Sequence, residues 1–335
     1  MAHTLWRIRD RLKLPKASVW LIGMDALAGL LDGPRARGAF LLRTSWSGRW
    51  ALQILAESPL TVIAVPRGEL YITHESGEVT HVRPGDLALT RGPDHYRVGD
   101  DPETEPTIEI HPGQECRSLT GEPLMETMSL GVRSWGNHLE GETVMMVGAY
   151  HSFGEIGDRL IRALPPVIRL VPDQWDSALV PILANEVMKD HPGQLAVLDR
   201  LLDLVTVSAL RAWFDRPEAE SPAWYQAQSD PVVGTALRLL QNNPAESWTV
   251  AKLAAEVNVS RAVLARRFSE LVGEPPMTFL TSWRIDLAAD LLRKPDTTVG
   301  AVADQVGYSS PFALSNAFKR VRGVSPQQHR ELVTA

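Results

Sequence analysis

The feature that most constrains the fold is a sequence that is repeated within the last third of the chain. Residues 249–260, TVAKLAAEVNVS, match residues 298–309, TVGAVADQVGYS, at an offset of 49. After one inserted residue the match continues at an offset of 50, where Leu264 aligns with Leu314. Self-similarity of this kind indicates that one supersecondary unit occurs twice. The last third is therefore expected to contain two copies of one helical motif.

Each copy has the pattern of a short helix, a tight turn and a second helix. Asn258 occupies the first turn and Gly307 the second, and these residue types accept a left-handed backbone at the least cost. Ser260 and Ser310 are expected to cap the second helices, with Pro311 at the first position of the later one. A single helix-turn-helix is weak evidence for DNA binding because it also occurs as a structural corner, but two copies favour DNA binding.

One long helix is predicted to join the two copies, at residues 276–294. Its apolar stripe contains Phe279, Leu280, Trp283, Leu287 and Leu291. At about 1.5 Å per residue this helix can hold the two units roughly 34 Å apart, which is one turn of B-DNA. The second helix of each unit can then enter successive major grooves on one face of the duplex.

The span from residue 230 to residue 330 resembles the DNA-binding domain of AraC/XylS-type transcription regulators. The segment VSRAVLARRFSELVGEPPMTFL is similar to the family's first recognition helix and connector, and VADQVGYSSPFALSNAFKRVRGVSPQQHR is similar to its C-terminal signature. The resemblance implies groove-facing side chains at Arg261, Ala262, Ala265, Arg266, Phe312, Ala313 and Asn316. It also implies DNA contacts at the helix N-termini and beyond them, and the expected partners of these contacts are phosphates. The residues are Ser260, Ser309, Ser310, Lys319 and Arg320.

The second recognition helix departs from the family pattern. The family usually has arginine where this chain has Asn316, and a small polar residue where it has Phe312. Arg266 can contact guanine O6 and N7, and Asn316 can pair with adenine or bond a phosphate. Arg266 is therefore expected to carry more of the base reading. The alternative for three of the cations is that they are solvated surface charges without a DNA contact. These are Arg267, Lys319 and Arg320.

Net charge does not settle the question of a nucleic-acid partner. The chain carries a formal charge of −6, but residues 230–335 hold 12 Lys and Arg against 10 Asp and Glu. The C-terminal third is thus less acidic than the rest, yet far from the strongly basic domain expected of a general polyanion binder. The single cysteine, Cys116, excludes internal disulfides and multi-cysteine zinc sites and fits a reducing cytosol.

The first half has the pattern of a small antiparallel sandwich or barrel. Short apolar runs separated by Gly, Pro and Ser fall at residues 38–42, 50–55, 60–65, 69–73 and 79–82. The segment GDLALTRGPDH (85–95) resembles the second motif of a cupin barrel, in the form fused to some AraC-type regulators. A barrel of this kind can bind a small-molecule effector in its mouth. The residues expected to line that site are Trp46, Trp50, Tyr71 and His95. The alternative is that these side chains simply fill the core.

A metal site of the cupin type is not expected. Such a site takes paired histidines and a carboxylate from the first motif, but residues 58–71 contain no histidine. His95 alone cannot form a three-ligand site, and His74, His81 and His111 are expected to be surface or core residues. No cofactor and no catalytic residue are predicted, since no Ser-His-Asp order, P-loop or dinucleotide glycine motif occurs.

Long helices are predicted from about residue 173, at 173–190 and 194–214. The second is apolar on more than one stripe and is expected to pack on its own domain and on a second chain, with burial in a single-chain core as the alternative. Residues 215–229 are polar and aperiodic, as in a linker. The basic N-terminus before residues 19–31 faintly resembles a signal peptide, but Asp25 interrupts the apolar run and secretion is not expected.

These patterns together predict an α+β multidomain chain. Residues 1–214 are expected to form a cupin-like regulatory and dimerisation barrel with a helical segment, residues 215–229 a linker, and residues 230–335 an all-α tandem helix-turn-helix domain. The expected function is a cytoplasmic, effector-responsive, sequence-specific transcription regulator, an activator rather than a repressor. Its expected partners are double-stranded DNA, a second copy of the chain and RNA polymerase, with no membrane. The alternative is a metal-dependent cupin oxygenase or isomerase with an accessory helical domain.

Overall fold

The computed structural model describes residues 40–216, 221–294 and 296–334. These residues form two compact units that divide between Pro222 and Ala223. The first unit is rich in β-strands and the second is helical throughout, which confirms the predicted α+β class. The N-terminal segment that resembles a signal peptide lies outside the described residues.

The strands all belong to the first unit. They are β1 Phe40–Trp46, β2 Ala51–Ile54, β3 Leu60–Arg67, β4 Leu70–His74, β5 Val79–Val82, β6 Leu87–Arg91, β7 Tyr96–Gly99, β8 Ile108–His111, β9 Glu115–Ser118, β10 Ser129–Gly131, β11 Ser134–Gly136, β12 Thr143–Tyr150 and β13 Val167–Leu170. The helices of this unit are α1 Gly154–Ile161, α2 Leu179–Val187 and α3 Gln194–Phe214. Helix α3 has the bounds that its apolar pattern predicted.

Two sheets make up the β-rich unit. One has seven strands in the order β10-β11-β1-β12-β3-β6-β13 and the other has six in the order β5-β4-β7-β2-β8-β9. Most neighbours are antiparallel, and β1 with β11 and β2 with β8 are parallel. The core cluster contains Trp46 and Ile63 from the first sheet with Leu52 and Ile72 from the second. Among the described strands no ladder joins the two sheets, so the cupin-like domain is a sandwich of open sheets.

The helices of the second unit are α4 Ala223–Gln226, α5 Val233–Asn242, α6 Val250–Glu256, α7 Arg261–Val272, α8 Pro276–Leu292, α9 Val299–Val306, α10 Pro311–Arg322 and α11 Pro326–Thr334. Helix α4 and the 3-10 turn Ala227–Ser229 lie in the segment predicted as a linker. Ala227 is buried, and this burial stabilises a fold that the polar composition did not indicate.

Helix α8 is the axis of the second unit. The ring of Phe279 packs edge-on against Phe268 of α7 at 5.9 Å between centroids and stacks on Trp283 at 6.0 Å. The other end of α8 enters a core with Leu314 and Phe318 of α10. The helix is buried on more sides than the predicted stripe, because Ile285 and its neighbours Ala288 and Ala289 are fully buried as well.

Candidate nucleic-acid interface

Four helix N-termini of the repeated motif are capped by hydroxyl side chains at equivalent positions. Thr249 Oγ1 accepts from Lys252 N at 3.1 Å, and Thr298 Oγ1 accepts from Ala301 N at 3.1 Å. Ser260 Oγ accepts from Val263 N at 3.3 Å, and Ser310 Oγ accepts from Ala313 N at 3.2 Å. The predicted caps of both recognition helices, α7 and α10, are therefore confirmed. Each cap satisfies one backbone donor that the helix itself cannot pair.

The two turns adopt the left-handed backbone that their residue types predicted. Asn258 has a φ of 56° and Gly307 a φ of 80°. A Cβ at Gly307 would lie 2.6 Å from the Cα of Ala245, so this position has no room for a side chain. The turn of the second unit is therefore fixed by close packing as well as by backbone conformation.

Helix α7 buries one face and exposes the other. Leu264 and Phe268 are fully buried, while Arg261, Ala262 and Arg266 are exposed. Ala265 is half-buried between them. The predicted groove-facing positions thus share the solvent side of a helix that its buried face holds in place.

Arg266 is paired on its own helix. Its Nη1 donates to Glu270 Oε1 at 3.1 Å, and the two side chains are 69% and 55% exposed. An exposed pair of this kind contributes only about 0.3–0.5 kcal/mol. Glu270 was not among the predicted residues, although its spacing of four residues from Arg266 is the signal that identifies such a pair.

Arg267 has a structural role instead of the solvated one considered for it. Its Nη2 donates to Asp230 Oδ2 at 2.5 Å, while Asp230 Oδ1 accepts from Val233 N at 2.8 Å. Burial raises the pKa of the Asp230 carboxyl, but the hydrogen bonds from Val233 N and Arg267 outweigh it and lower the pKa. The pair ties helix α7 to the start of α5.

Helix α10 presents a different surface. Phe312 in its first turn is 75% exposed, and Asn316, one turn later, is exposed as well. Ala313 is half-buried between them, and Ser310 is half-buried at the cap. Ser309, before the cap, and Lys319 and Arg320, near the C-terminal end, are exposed. The buried face again consists of Leu314 and Phe318.

The four aromatic residues expected to line an effector site lie in three different settings. Trp46 and Trp50 are buried and stacked on each other at 5.0 Å between ring centroids. Tyr71 stacks on His81 at 4.4 Å, and the His95 side chain is 42% exposed and lies 4.0 Å from Glu57. The tryptophans fill the core, which was the alternative interpretation.

A cavity does lie between the two sheets. It has a volume of about 60 Å³, and its lining includes Leu52, Ile63, Tyr96, Gln114, Cys116 and Trp135. Burial raises the pKa of the Cys116 thiol to about 11, so this wall is neutral near pH 7. None of the four predicted aromatic residues lines it. The cavity could not be predicted from the sequence, because residues from eight strands spread along the chain contribute to its walls.

Two capped helix-turn-helix units that share the axial helix α8 define a DNA-binding protein of the tandem helix-turn-helix class. No described helix has both the length and the hydrophobicity needed to cross a lipid bilayer.

Comparison with known proteins identifies the family. Residues 25–215 match the cupin family and residues 253–332 match a helix-turn-helix domain family. A putative AraC-like transcription regulator of Streptomyces lividans is 33% identical over 317 residues, covering 92% of this chain and 98% of that protein. The transcriptional regulator AlkR of Acinetobacter baylyi is 26% identical over 317 residues, covering 92% and 99%. The DNA-binding domain of AdpA, solved with a target DNA, is 35% identical, covers 31% of this chain and 93% of that one, and has a TM-score of 0.30.

The chain therefore belongs to the AraC-like transcription regulators, and its first unit is a cupin domain. This confirms the resemblance to AraC-type regulators that the C-terminal signature indicated. It also favours a DNA-binding transcription regulator over the alternative of a cupin oxygenase or isomerase.

Proposed function

We propose that this regulator binds its operator in a sequence-specific manner through helices α7 and α10, and that it activates transcription in the cytoplasm through contact with RNA polymerase. The observation that supports this most directly is the exposed face of α7, where Arg261 and Arg266 stand free of the core while the opposite face is buried. Activation is the commoner mode in the resembled family. We assign no catalytic step to the chain.

Arg266 is the side chain we propose for direct base reading. A guanidinium can donate two hydrogen bonds to O6 and N7 of guanine, which discriminates against other bases by about 1–3 kcal/mol. Arg266 must first break its ion pair with Glu270. This reduces the free energy gained on DNA binding only slightly, because the pair is exposed. Release also leaves the Glu270 carboxylate near the DNA, where it can accept from cytosine N4 or repel phosphates.

Arg266→Ala is expected to weaken operator binding ten- to hundredfold and to leave binding to random duplex unchanged. The measurement is the affinity of the purified chain for a duplex taken from genome-wide mapping of bound sites, against a scrambled duplex at the same salt concentration. Lys294→Ala, which removes an exposed positive charge at the end of α8, is the matched control and should alter neither. An equal loss on both duplexes assigns Arg266 to phosphate, and no loss on either removes it from the interface; both results contradict the proposal.

We propose a less discriminating role for α10. Phe312 is a large apolar surface on the first turn of a helix directed at the groove, and thymine offers the only methyl group in the major groove. Asn316 can pair with adenine N6 and N7. Ser309, Ser310, Lys319 and Arg320 then supply phosphate contacts that fix the register. This surface suits A·T-rich half-sites, while α7 reads guanine.

The cavity between the sheets is where we place an effector. Its neutral, mostly apolar wall suits a small apolar molecule with few polar groups. Its volume of about 60 Å³ is below the roughly 150 Å³ of a cavity that takes benzene, so side chains must move to admit a ligand. Ligands of this class are expected to raise the melting temperature of the chain, and a set that leaves it unchanged contradicts this placement.

A second copy of the chain is the partner we propose for helix α3. Val197 and Leu204 are 45% and 50% exposed, and Leu201 lies half-buried between them. Ile182 within α2 and Met188 directly after it add exposed apolar side chains, with exposed fractions of 51% and 47%. The opposite face of α3 is buried in its own unit, with Leu198, Leu202 and Leu210. A helix that is apolar on both faces in this way requires a second cover.

A further inference from the structure

Three side chains with metal-binding groups meet at one end of the six-stranded sheet. His74 is the last residue of β4, Glu75 follows it, and Asp94 precedes β7. Strands β4 and β7 pair with His74 opposite Tyr96, and Glu75 N donates to His95 O at 3.1 Å. Backbone pairing therefore holds together residues that lie about 20 positions apart in the chain, a distance that hid the cluster from sequence analysis.

The geometry of the cluster fits a bound cation. One ligand atom from each of the three side chains lies within 4.8 Å of the others. The Nε2 of His74 is 3.5 Å from Asp94 Oδ2. Two ligands that sit about 2.0–2.1 Å from a tetrahedral zinc ion are about 3.3 Å apart, so these two atoms already stand close to a ligand separation. The Glu75 side chain is exposed and can close the remaining gap by rotation.

One ring nitrogen of His74 is buried without a hydrogen-bond partner among the described groups. The side chain is only 8% exposed, and Nε2 makes no hydrogen bond with any described group. A buried polar atom without a partner is costly, and this one is directed at a carboxylate. The other ring nitrogen, Nδ1, lies 2.9 Å from Ser76 Oγ. A hydrogen bond from Nδ1–H to that hydroxyl is the outer contact that orients a metal-binding histidine.

The backbone contact at Nδ1 favours the other tautomer of the His74 ring. Ser76 N donates to Nδ1 at 3.2 Å, which places the ring proton on Nε2, facing Asp94. A metal ion at Nε2 takes the place of this proton, and Nδ1 then becomes the donor to Ser76 Oγ.

The charges around the cluster remain favourable to a cation. The Nη2 of Arg91 lies 3.5 Å from Asp94 Oδ2, and it opposes a metal ion there. Its Nη1, however, donates to Leu164 O at 2.8 Å, so the guanidinium has a second partner outside the cluster. Glu75 and Asp94 together outweigh this single positive charge.

We infer that His74, Glu75 and Asp94 bind one divalent first-row transition metal ion, of which Zn²⁺ is the best match. One imidazole nitrogen with two carboxylate oxygens suits zinc better than calcium or magnesium, which prefer oxygen ligands alone. This site is separate from the cavity, since none of its three residues lines that cavity.

Titration of the metal-stripped full chain with Zn²⁺, followed by calorimetry, tests the inference. Wild type is expected to bind one equivalent that excess Mg²⁺ and Ca²⁺ do not displace. Asp94→Asn, Glu75→Gln and His74→Gln should each weaken binding at least tenfold. His81→Gln is the matched control, because His81 pairs with Glu69 at 2.9 Å in the same sheet but lacks a third ligand; it should bind as wild type does.

Circular dichroism of each stripped variant shows whether its fold is retained, and the two carboxylate variants test the site if His74→Gln does not fold. The absence of a stoichiometric equivalent overturns the inference. So does an equivalent that persists in the folded carboxylate variants, that His81→Gln removes, or that Ca²⁺ displaces.

Discussion

Gly307→Ala is expected to destabilise the helical unit by about 3 kcal/mol or more, whereas Gly323→Ala is expected to destabilise it by about 1–2 kcal/mol. Both glycines follow a helix with a left-handed backbone, at φ values of 80° and 78°. A non-glycine residue in that conformation costs about 1–2 kcal/mol. Only at Gly307 does the new Cβ collide with backbone, 2.6 Å from Ala245 Cα and 2.8 Å from Ala245 O, and backbone cannot rotate away as a side chain can.

Gly323→Ala is the matched control because it has nothing within 4 Å of its added Cβ. The measurement is urea unfolding of the full chain and of both variants, followed by helical circular dichroism, and it compares the shifts in midpoint. Both variants lose free energy of unfolding because of the left-handed backbone. The difference between them therefore measures the additional loss from the steric clash at Gly307. Equal shifts show that the approach to Ala245 relaxes at no cost, which contradicts the packing argument.

The tandem helix-turn-helix was predictable because its determinants are local. A cap and a left-handed turn each depend on one residue and its nearest neighbours, so Ser260, Asn258, Gly307 and Ser310 identified the helix ends correctly. The second copy then removed the ambiguity that one copy leaves. The predicted length of α3 was also correct, because its apolar pattern begins after Gly193 and ends at Phe214.

Features that depend on long-range pairing were not predictable. Residue type alone predicts one effector site at Trp46, Trp50, Tyr71 and His95. The two tryptophans instead stack on each other in the core, while Tyr71 stacks on His81 and His95 lies beside Glu57. The sheet register brings His74 beside Asp94, which nothing in their sequence spacing indicates. Burial decides the roles of the cations as well: Arg322 donates to the buried carboxylate of Asp286 at 2.6 Å, although its position at the end of a recognition helix would equally suit a phosphate contact.

Leu204→Glu is expected to raise the dissociation constant of the proposed dimer at least a hundredfold. In a two-fold symmetric dimer each substitution occurs twice in one interface, and each buries a carboxylate against apolar surface without a partner. Leu204 lies on the exposed stripe with Val197 and Leu201. The fold of the monomer should persist, because the side chain is 50% exposed and faces away from its own core. Sedimentation velocity across a concentration series measures the change.

Leu195→Glu separates an interface effect from a general effect of charge on this helix. Leu195 is 67% exposed and lies nine residues before Leu204, which at about 100° per residue places it on the opposite side of the helix axis. The same substitution on the same helix should therefore leave dimerisation unchanged. If both variants dissociate alike, or if wild type sediments as a monomer at every concentration, α3 is not the dimer interface. If only Leu204→Glu dissociates, operator affinity should fall with it, because two linked DNA-binding units bind far more tightly than one.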